Sequence, residues 1–386
     1  PSQSAPAEEF HNLLLNHRLD PGKNSDTTCR PAWSSYLDPW TRCAQTRSGL
    51  FAAKTTMNMT VSSGIQAWTL RRWKQTLTAE VPASLTGYWP ALNDYEIVRQ
   101  LAAHRGVSSY LALRPSGLGV ERQVLLKVCQ ATLQFGFSSA KELSDESRLG
   151  LRLDHPGLLS VIDYGRDEGC TFQVREWVDG ISLRRLLEQT WAKGQFPIIA
   201  ALQLGEQLCS VLCYLHQLSV PPWAPAGLIH HGVVPSNVIV SAQGEARLGN
   251  LFQVQPRGTQ LTSYQGASED PEFGTARAFI APELQAGAGS EPATDIFALG
   301  TLLYEAVVGP EALSGDVSSD WQRQRDDREV LRRLEAAPLP PRLTELLIRS
   351  MASSPNERFN SAEEMRLELI ALLDEQQDQA GVGELR

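Results

Sequence analysis

Hydrophobic periodicity predicts a mixed α and β fold for this 386-residue chain. Two observations carry that class. From Tyr95 the sequence breaks into short apolar runs, the pattern of strands packed on a core. Further on, Ile198 to Leu218 repeats apolar residues at helical spacing, with Leu204, Leu208, Val211, Leu212 and Leu215 on one stripe. A third feature sets the beginning apart. Residues 1–91 are polar and rich in Ser, Thr and Gln, yet they carry Trp33, Trp40, Trp68, Trp73 and Trp89, more indole than an unfolded segment usually holds.

Composition narrows the function classes. Hydrophobic residues make up 42% and charged residues 20%, ordinary values for a globular protein. A net charge of -9 argues against nucleic acid as a partner, because phosphate backbones select basic surfaces. Every long apolar stretch is interrupted by Gly, Glu or Pro, so no transmembrane segment is expected. Cys29, Cys43, Cys129, Cys170, Cys209 and Cys213 form no C-x-x-C pair and no dense framework, which predicts reduced core thiols and a cytoplasmic location. Cys209 and Cys213 lie four apart on the long helix, but two cysteines without further ligands at metal spacing predict no metal site.

Within the extension, helices are expected near Glu8 to Asn16 and Ile65 to Leu77. The second is amphipathic, with Ile65, Trp68 and Trp73 against Arg71, Arg72 and Lys74. Its uses stay open: docking on the neighbouring lobe, binding a partner or regulating the chain itself, or lying on a membrane surface.

The remainder carries short motifs in a fixed order. They are EIVRQLAAHRGVSSYLAL (Glu96 to Leu113), VLLKV ending at Val128, DESRLGLRLDHPGLLSVIDYG (Asp145 to Gly165), TFQVREWVDGISLRRLL (Thr171 to Leu187) and LIHHGVVPSNVIV (Leu228 to Val240). EARLGNLF (Glu245 to Phe252), EFGTARAFIAPEL (Glu272 to Leu284), TDIFALGTLLYEAVVG (Thr294 to Gly309) and ASSPNERFNSAEEM (Ala352 to Met365) follow. Each alone is weak. Taken in order and spacing they resemble the eukaryotic-type serine/threonine protein kinases, in degenerate form. The resemblance implies an α+β, bilobal fold: an N-lobe over 92–178, rich in strands and holding the αC helix, a helical C-lobe over 179–374, and a polar, frayed tail over 375–386.

What the resemblance implies for the site falls into two groups. One keeps the family's residues. Lys127 stands at the phosphate-pairing lysine and Glu146 at its αC partner, Asn237 ends the catalytic loop, and His230 is its buried histidine. Glu283 belongs to the A-P-E motif, Arg358 is its expected ion-pair partner, and Asp295 is placed to hold the catalytic-loop backbone. The other group departs from the family. Gly232 takes the place of the catalytic aspartate, Val234 that of the γ-phosphate lysine, and Asn250, in Asn250-Leu251-Phe252, that of the Mg²⁺-binding aspartate. His231 replaces an arginine. Ala102, His104 and Val107 fall on the three places of the Gly-rich loop, with Gly106 displaced by one.

Around the nucleotide pocket, Leu125 is larger than the alanine usual there, Arg175 is the gatekeeper, and Glu176 to Val178 form the hinge. A guanidinium facing an apolar pocket needs a carboxylate, and Glu146 is the nearest, in competition with Lys127. These substitutions predict a pseudokinase: no catalytic residue, no Mg²⁺, weak ATP at most, and a protein partner. The alternative is an enzyme that transfers a phosphoryl or nucleotidyl group by a rearranged route. Two smaller expectations complete the reading. Ser219 to Gly227 is read as a tolerated surface insertion, with a family-specific contact as the alternative, and Ser361 with Glu364 caps a last helix whose stripe is Met365, Leu369, Leu372 and Leu373.

Overall fold

The computed structural model describes residues 94–383 apart from 105, 116–120, 131–135, 168–169, 261–277, 310–312 and 314–326. The helices expected near Glu8 to Asn16 and Ile65 to Leu77 lie outside the described residues. What is described falls into two compact units, one ending at Val178 and the other beginning at Asp179.

The first unit is a five-stranded antiparallel sheet in the order β1-β2-β3-β5-β4, with one helix. Its strands are β1 (Glu96–His104), β2 (Val107–Pro115), β3 (Glu121–Gln130), β4 (Val161–Asp167) and β5 (Cys170–Glu176). Alternation sorts β3: Val124, Leu126 and Val128 enter a core with Tyr95, Tyr110, Ala112, Phe172 and Val174, and the residues between them face the other way. Helix α1 (Gly136–Gly150) starts well before Asp145, where the motif resemblance began it. Its early residues Ala140 and Leu143 pack against Cys129, and that apolar contact gives the added turns their reason to form. At the place of the Gly-rich loop lies the turn between β1 and β2. Pairing continues to His104↔Val107, and Gly106 takes φ 78, a conformation that suits a residue without Cβ.

The second unit is helical. It contains α2 (Leu183–Trp191), α3 (Ile198–Gln217), α4 (Pro282–Gln285), α5 (Pro292–Val308), α6 (Asp327–Ala336), α7 (Pro341–Ser350) and α8 (Ala362–Gly383). Two small sheets accompany them. One joins β6 (Gly180–Ser182), β8 (Val238–Ser241) and β9 (Ala246–Leu248), and the other pairs β7 (Leu228–Ile229) with β10 (Gln255–Pro256). Helix α3 packs on α5 and α8, burying the whole predicted stripe. At about 1.5–3 kcal/mol for each fully buried Leu, that stripe is a main source of the unit's cohesion.

Against the expectation of no such stretch, α3 is long and apolar enough to cross a membrane by length and composition. The cause is its role as core: 56% of that window is buried inside the protein, with Gln207 turned to the Gly244 carbonyl and the Ala246 amide. Helix α5 is buried nearly all round, from Thr294 to Val307.

The last helix also differs from expectation. It runs to Gly383 instead of fraying after Asp374, and Glu375 is held there by Arg342 of α7. On its stripe Met365, Leu369 and Leu372 are buried and Leu373 is half-buried. At its start Ser361 Oγ accepts from Glu364 N at 3.1 Å, while the Glu364 carboxylate accepts from Asn360 N at 2.8 Å. The Pro-rich segment after α3 closes on itself. Val220 and Ala224 exchange two backbone hydrogen bonds of 2.8 and 2.7 Å, leaving the Trp223 side chain exposed.

Candidate functional site

In the first unit, the face of β3 turned away from the core carries Leu125 and Lys127. The register Leu125↔Arg175 and Lys127↔Gln173 brings Arg175 and Gln173 to the same face. Helix α1 supplies Glu146, 3% exposed. Its carboxylate is shared: one oxygen is in close ion-pair contact with Arg175, and the other lies 3.9 Å from Lys127 Nζ. Arg175 Nε donates to Gln173 Oε1 at 2.6 Å, and Gln173 Nε2 donates to Ser147 Oγ at 2.9 Å. Two cations thus share one carboxylate. Burial first, and then the Arg175 guanidinium, push Lys127 down to about 8, with Glu146 pulling the other way. The Lys127 side chain remains 25% exposed. Leu125 is half-buried beside it. Glu176 ties the end of β5 to Ser160, whose amide donates to Glu176 Oε1 at 3.0 Å, and Val178 closes the unit half-buried.

In the second unit, the segment after β7 is hung from Asp295, fully buried in the first turn of α5. The amides of His230 and His231 each donate to its carboxylate at 2.8 Å, and His216 Nε2 stands 2.9 Å from Oδ2. Burial alone would raise the Asp295 pKa. The hydrogen bond and charge of His216, with the charges of His231 and His230, hold it below the usual carboxylate value instead. His231 takes φ 60, and burial lowers its pKa against the pull of Asp295. Its Nδ1 lies 3.1 Å from the Gln253 carbonyl.

That suspension fixes Gly232. Its amide donates to His230 Nδ1 at 3.1 Å, and its carbonyl accepts from Asn237 Nδ2 at 2.9 Å. Val234, half-buried, starts the turn Pro235–Asn237. A Cβ placed on Gly232 would stand 2.5 Å from Gln253 Oε1, 3.2 Å from Asn237 Nδ2 and 3.3 Å from His230 Nδ1. The room a side chain would need is therefore taken by an amide. Gln253 ends a single 3-10 turn, Leu251–Gln253, whose preceding residue Asn250 has φ 65 and ψ 52, left-handed values that Asn tolerates better than most. Leu251 is buried.

The remaining landmarks meet within the second unit. Arg358 donates from both terminal nitrogens to the Glu283 carboxylate at 2.8 Å, and also to the carbonyls of Ala352 and Ala293 at 2.8 Å. Its guanidinium lies over the Phe297 ring, 4.8 Å from the centroid. Thr294 adds a 3.1 Å bond to Glu283.

Three participants escape the sequence reading. Gln173 lies two residues before Arg175 on one strand face, so period-two alternation could have pointed to it. Ser147 follows Glu146 on α1 and has no such signal. Gln253 has none either, because only tertiary structure brings it against Gly232.

A strand-rich unit bearing a Lys–Glu pair, and a helical unit whose loop hangs from a buried aspartate, define a protein-kinase-type domain. The chain belongs to the protein kinase domain family, whose profile matches residues 121–370. It is similar to the serine/threonine-protein kinase PknL of Mycobacterium bovis, 27% identical over 285 residues, covering 74% of this chain and 67% of that one. With PknB of Mycobacterium leprae the identity is 26% over 296 residues, covering 73% of this chain but 43% of that protein. Among solved structures, the kinase domain of Mycobacterium tuberculosis PknI is 24% identical with a TM-score of 0.50, covering 74% of this chain and 96% of that one, a likeness of fold.

Proposed function

We propose that this protein kinase domain has lost phosphotransfer and acts as a scaffold or allosteric regulator through contacts with another protein. The observation that carries the reading is Gly232. Its backbone is held by His230 and Asn237, and the space beside its Cα holds the Gln253 amide, where the family's mechanism calls for a carboxylate to orient a hydroxyl. Losing one such group typically costs about 10²–10⁴-fold in rate, and Val234 and Asn250 depart as well.

A catalytic Mg²⁺ does not fit the residues present. Asn250 offers an amide oxygen without charge where the family has an aspartate, and a hard dication selects carboxylates. Lys127 and Glu146 in one unit, and Asp295, Glu283 and Arg358 in the other, keep partners whose work is to support the fold. The loss therefore falls on the chemistry and spares the frame. A protein partner in a cytoplasmic signalling context, with at most weak, metal-independent ATP binding, completes the proposal.

One observation favours a second reading. A partly exposed Lys127 beside a surplus of positive charge could still receive a phosphate, as an enzyme transferring a phosphoryl or nucleotidyl group to a protein would require. A transfer assay on the purified full chain separates the two, using ATP labelled at the α or γ phosphate, Mg²⁺ or Mn²⁺, and a general protein substrate. The expected result is no label above that of Lys127→Ala. Transfer that Lys127→Ala abolishes would overturn the proposal.

A further inference from the structure

Two cations and one carboxylate meet beneath helix α1, and the two cations are not equivalent. Arg175 is 2% exposed and in close contact with Glu146, whereas Lys127 stands 3.9 Å away and keeps a quarter of its side chain in solvent. Arg175 is also aimed from behind, since its Nε is fixed by Gln173 at 2.6 Å. Gln173 in turn donates to Ser147, the residue after Glu146, and Ser147 Oγ donates to the Leu143 carbonyl one turn earlier on the same helix at 2.6 Å. The contacts close a ring: Glu146 to Arg175, along β5 to Gln173, across to Ser147, and back to Glu146 through the helix. A further bond of 2.6 Å joins Ser144 Oγ to Tyr164 OH on β4. Every member of the ring is 3% exposed or less. Lys127 is outside it.

We propose that Arg175, and not Lys127, is the positioning residue that holds helix α1 on the sheet, so that the helix is locked by the chain itself and needs no nucleotide to stay in place. The physical reason is that one cation is close, buried and anchored from behind, and the other is farther away and partly in solvent. Arg175 Nη2 is in close ion-pair contact with Glu146 Oε1 without forming a hydrogen bond, its Nε is held by the Gln173 amide, and a guanidinium stays charged when buried. The Lys127 ammonium, at 3.9 Å, is farther from the same carboxylate and has the weaker Coulomb attraction. The inference deepens the proposed loss of phosphotransfer without depending on it: a regulatory surface that includes α1 would be permanently presented, with no ligand to switch it.

The test is hydrogen exchange, read by mass spectrometry on peptides from 136–150, in the full chain with and without ATP. It compares the wild type with Lys127→Met, Arg175→Met and Arg175→Lys. Removing one partner of a buried ion pair should speed α1 exchange in Arg175→Met on the order of a hundredfold. Lys127→Met should change it by less than about threefold, since the lysine stands 3.9 Å from a carboxylate that Arg175 still neutralises. Arg175→Lys, which keeps the charge and loses the Nε anchor to Gln173, should fall between, and ATP should add no protection in the wild type. Peptides from α8, in the other unit, report global unfolding. Should Arg175→Met fail to fold, the ordering of Arg175→Lys against Lys127→Met decides. Lys127→Met opening α1 as much as either Arg175 variant, or ATP protecting α1 in the wild type, would overturn the inference.

Discussion

Gly232 is held through its backbone and obstructed beside its Cα, so restoring an aspartate there is a local question with a calculable answer. The nearest obstacle is the far end of the Gln253 side chain, 2.5 Å from a built Cβ, and a flexible amide can rotate away. Gly232→Asp is therefore expected to fold, with a loss of no more than about 2 kcal/mol in a urea titration. Alone it should leave transfer activity at background, because Asn250 still offers no charge to a metal. Activity restored by that single change would contradict this.

Lys127 gives a second prediction at this scale, through pH. Its folded pKa is about 8 against 10.5 for an ordinary lysine, so between those values the unfolded chain binds more protons and stability rises with pH. Below about 8 the wild type carries the full cost of a crowded, desolvated ammonium. Measured against Lys127→Met, its relative stability should improve from pH 8 to 10.5, and a difference that stays flat would remove the crowding argument.

Among elements, the turn of α4 and the start of α5 are joined through Arg358, which is 1% exposed and bonded to Glu283 and three backbone carbonyls. Arg358→Met should cost about 3–5 kcal/mol, since it strands the Glu283 carboxylate and those carbonyls together. A fall in urea midpoint with an unchanged slope is the expected signature.

The element scale also separates what the sequence displays from what it hides. Strand β3 and helix α3 are legible because period two and period 3.6 are written in consecutive apolar residues. Asp295, Glu283 and Arg358 are legible as motif positions, although no spacing says which atoms meet. Hidden are the features that need a partner distant in sequence. The early turns of α1 rest on Cys129, the extension of α8 rests on Arg342, and Gln253 fills the space beside Gly232. Gly232 was readable as an absence; its occupant was not.

Across the whole molecule, some positions keep the family's residues and their partners, and others carry different residues. Lys127 survives in the first unit, shadowed by Arg175. The second keeps its loop suspension from Asp295 but has Asn250 where the family has an aspartate. Any ligand that binds only the folded chain must raise its melting temperature, by the equivalent of about 2.7 kcal/mol at a hundredfold excess over Kd. The most direct measurement is thus a thermal-shift titration of the intact protein and of Lys127→Ala with ATP, in the presence and absence of Mg²⁺. The account predicts a small shift or none, and no strengthening by Mg²⁺. A shift that Mg²⁺ increases and Lys127→Ala abolishes would contradict it.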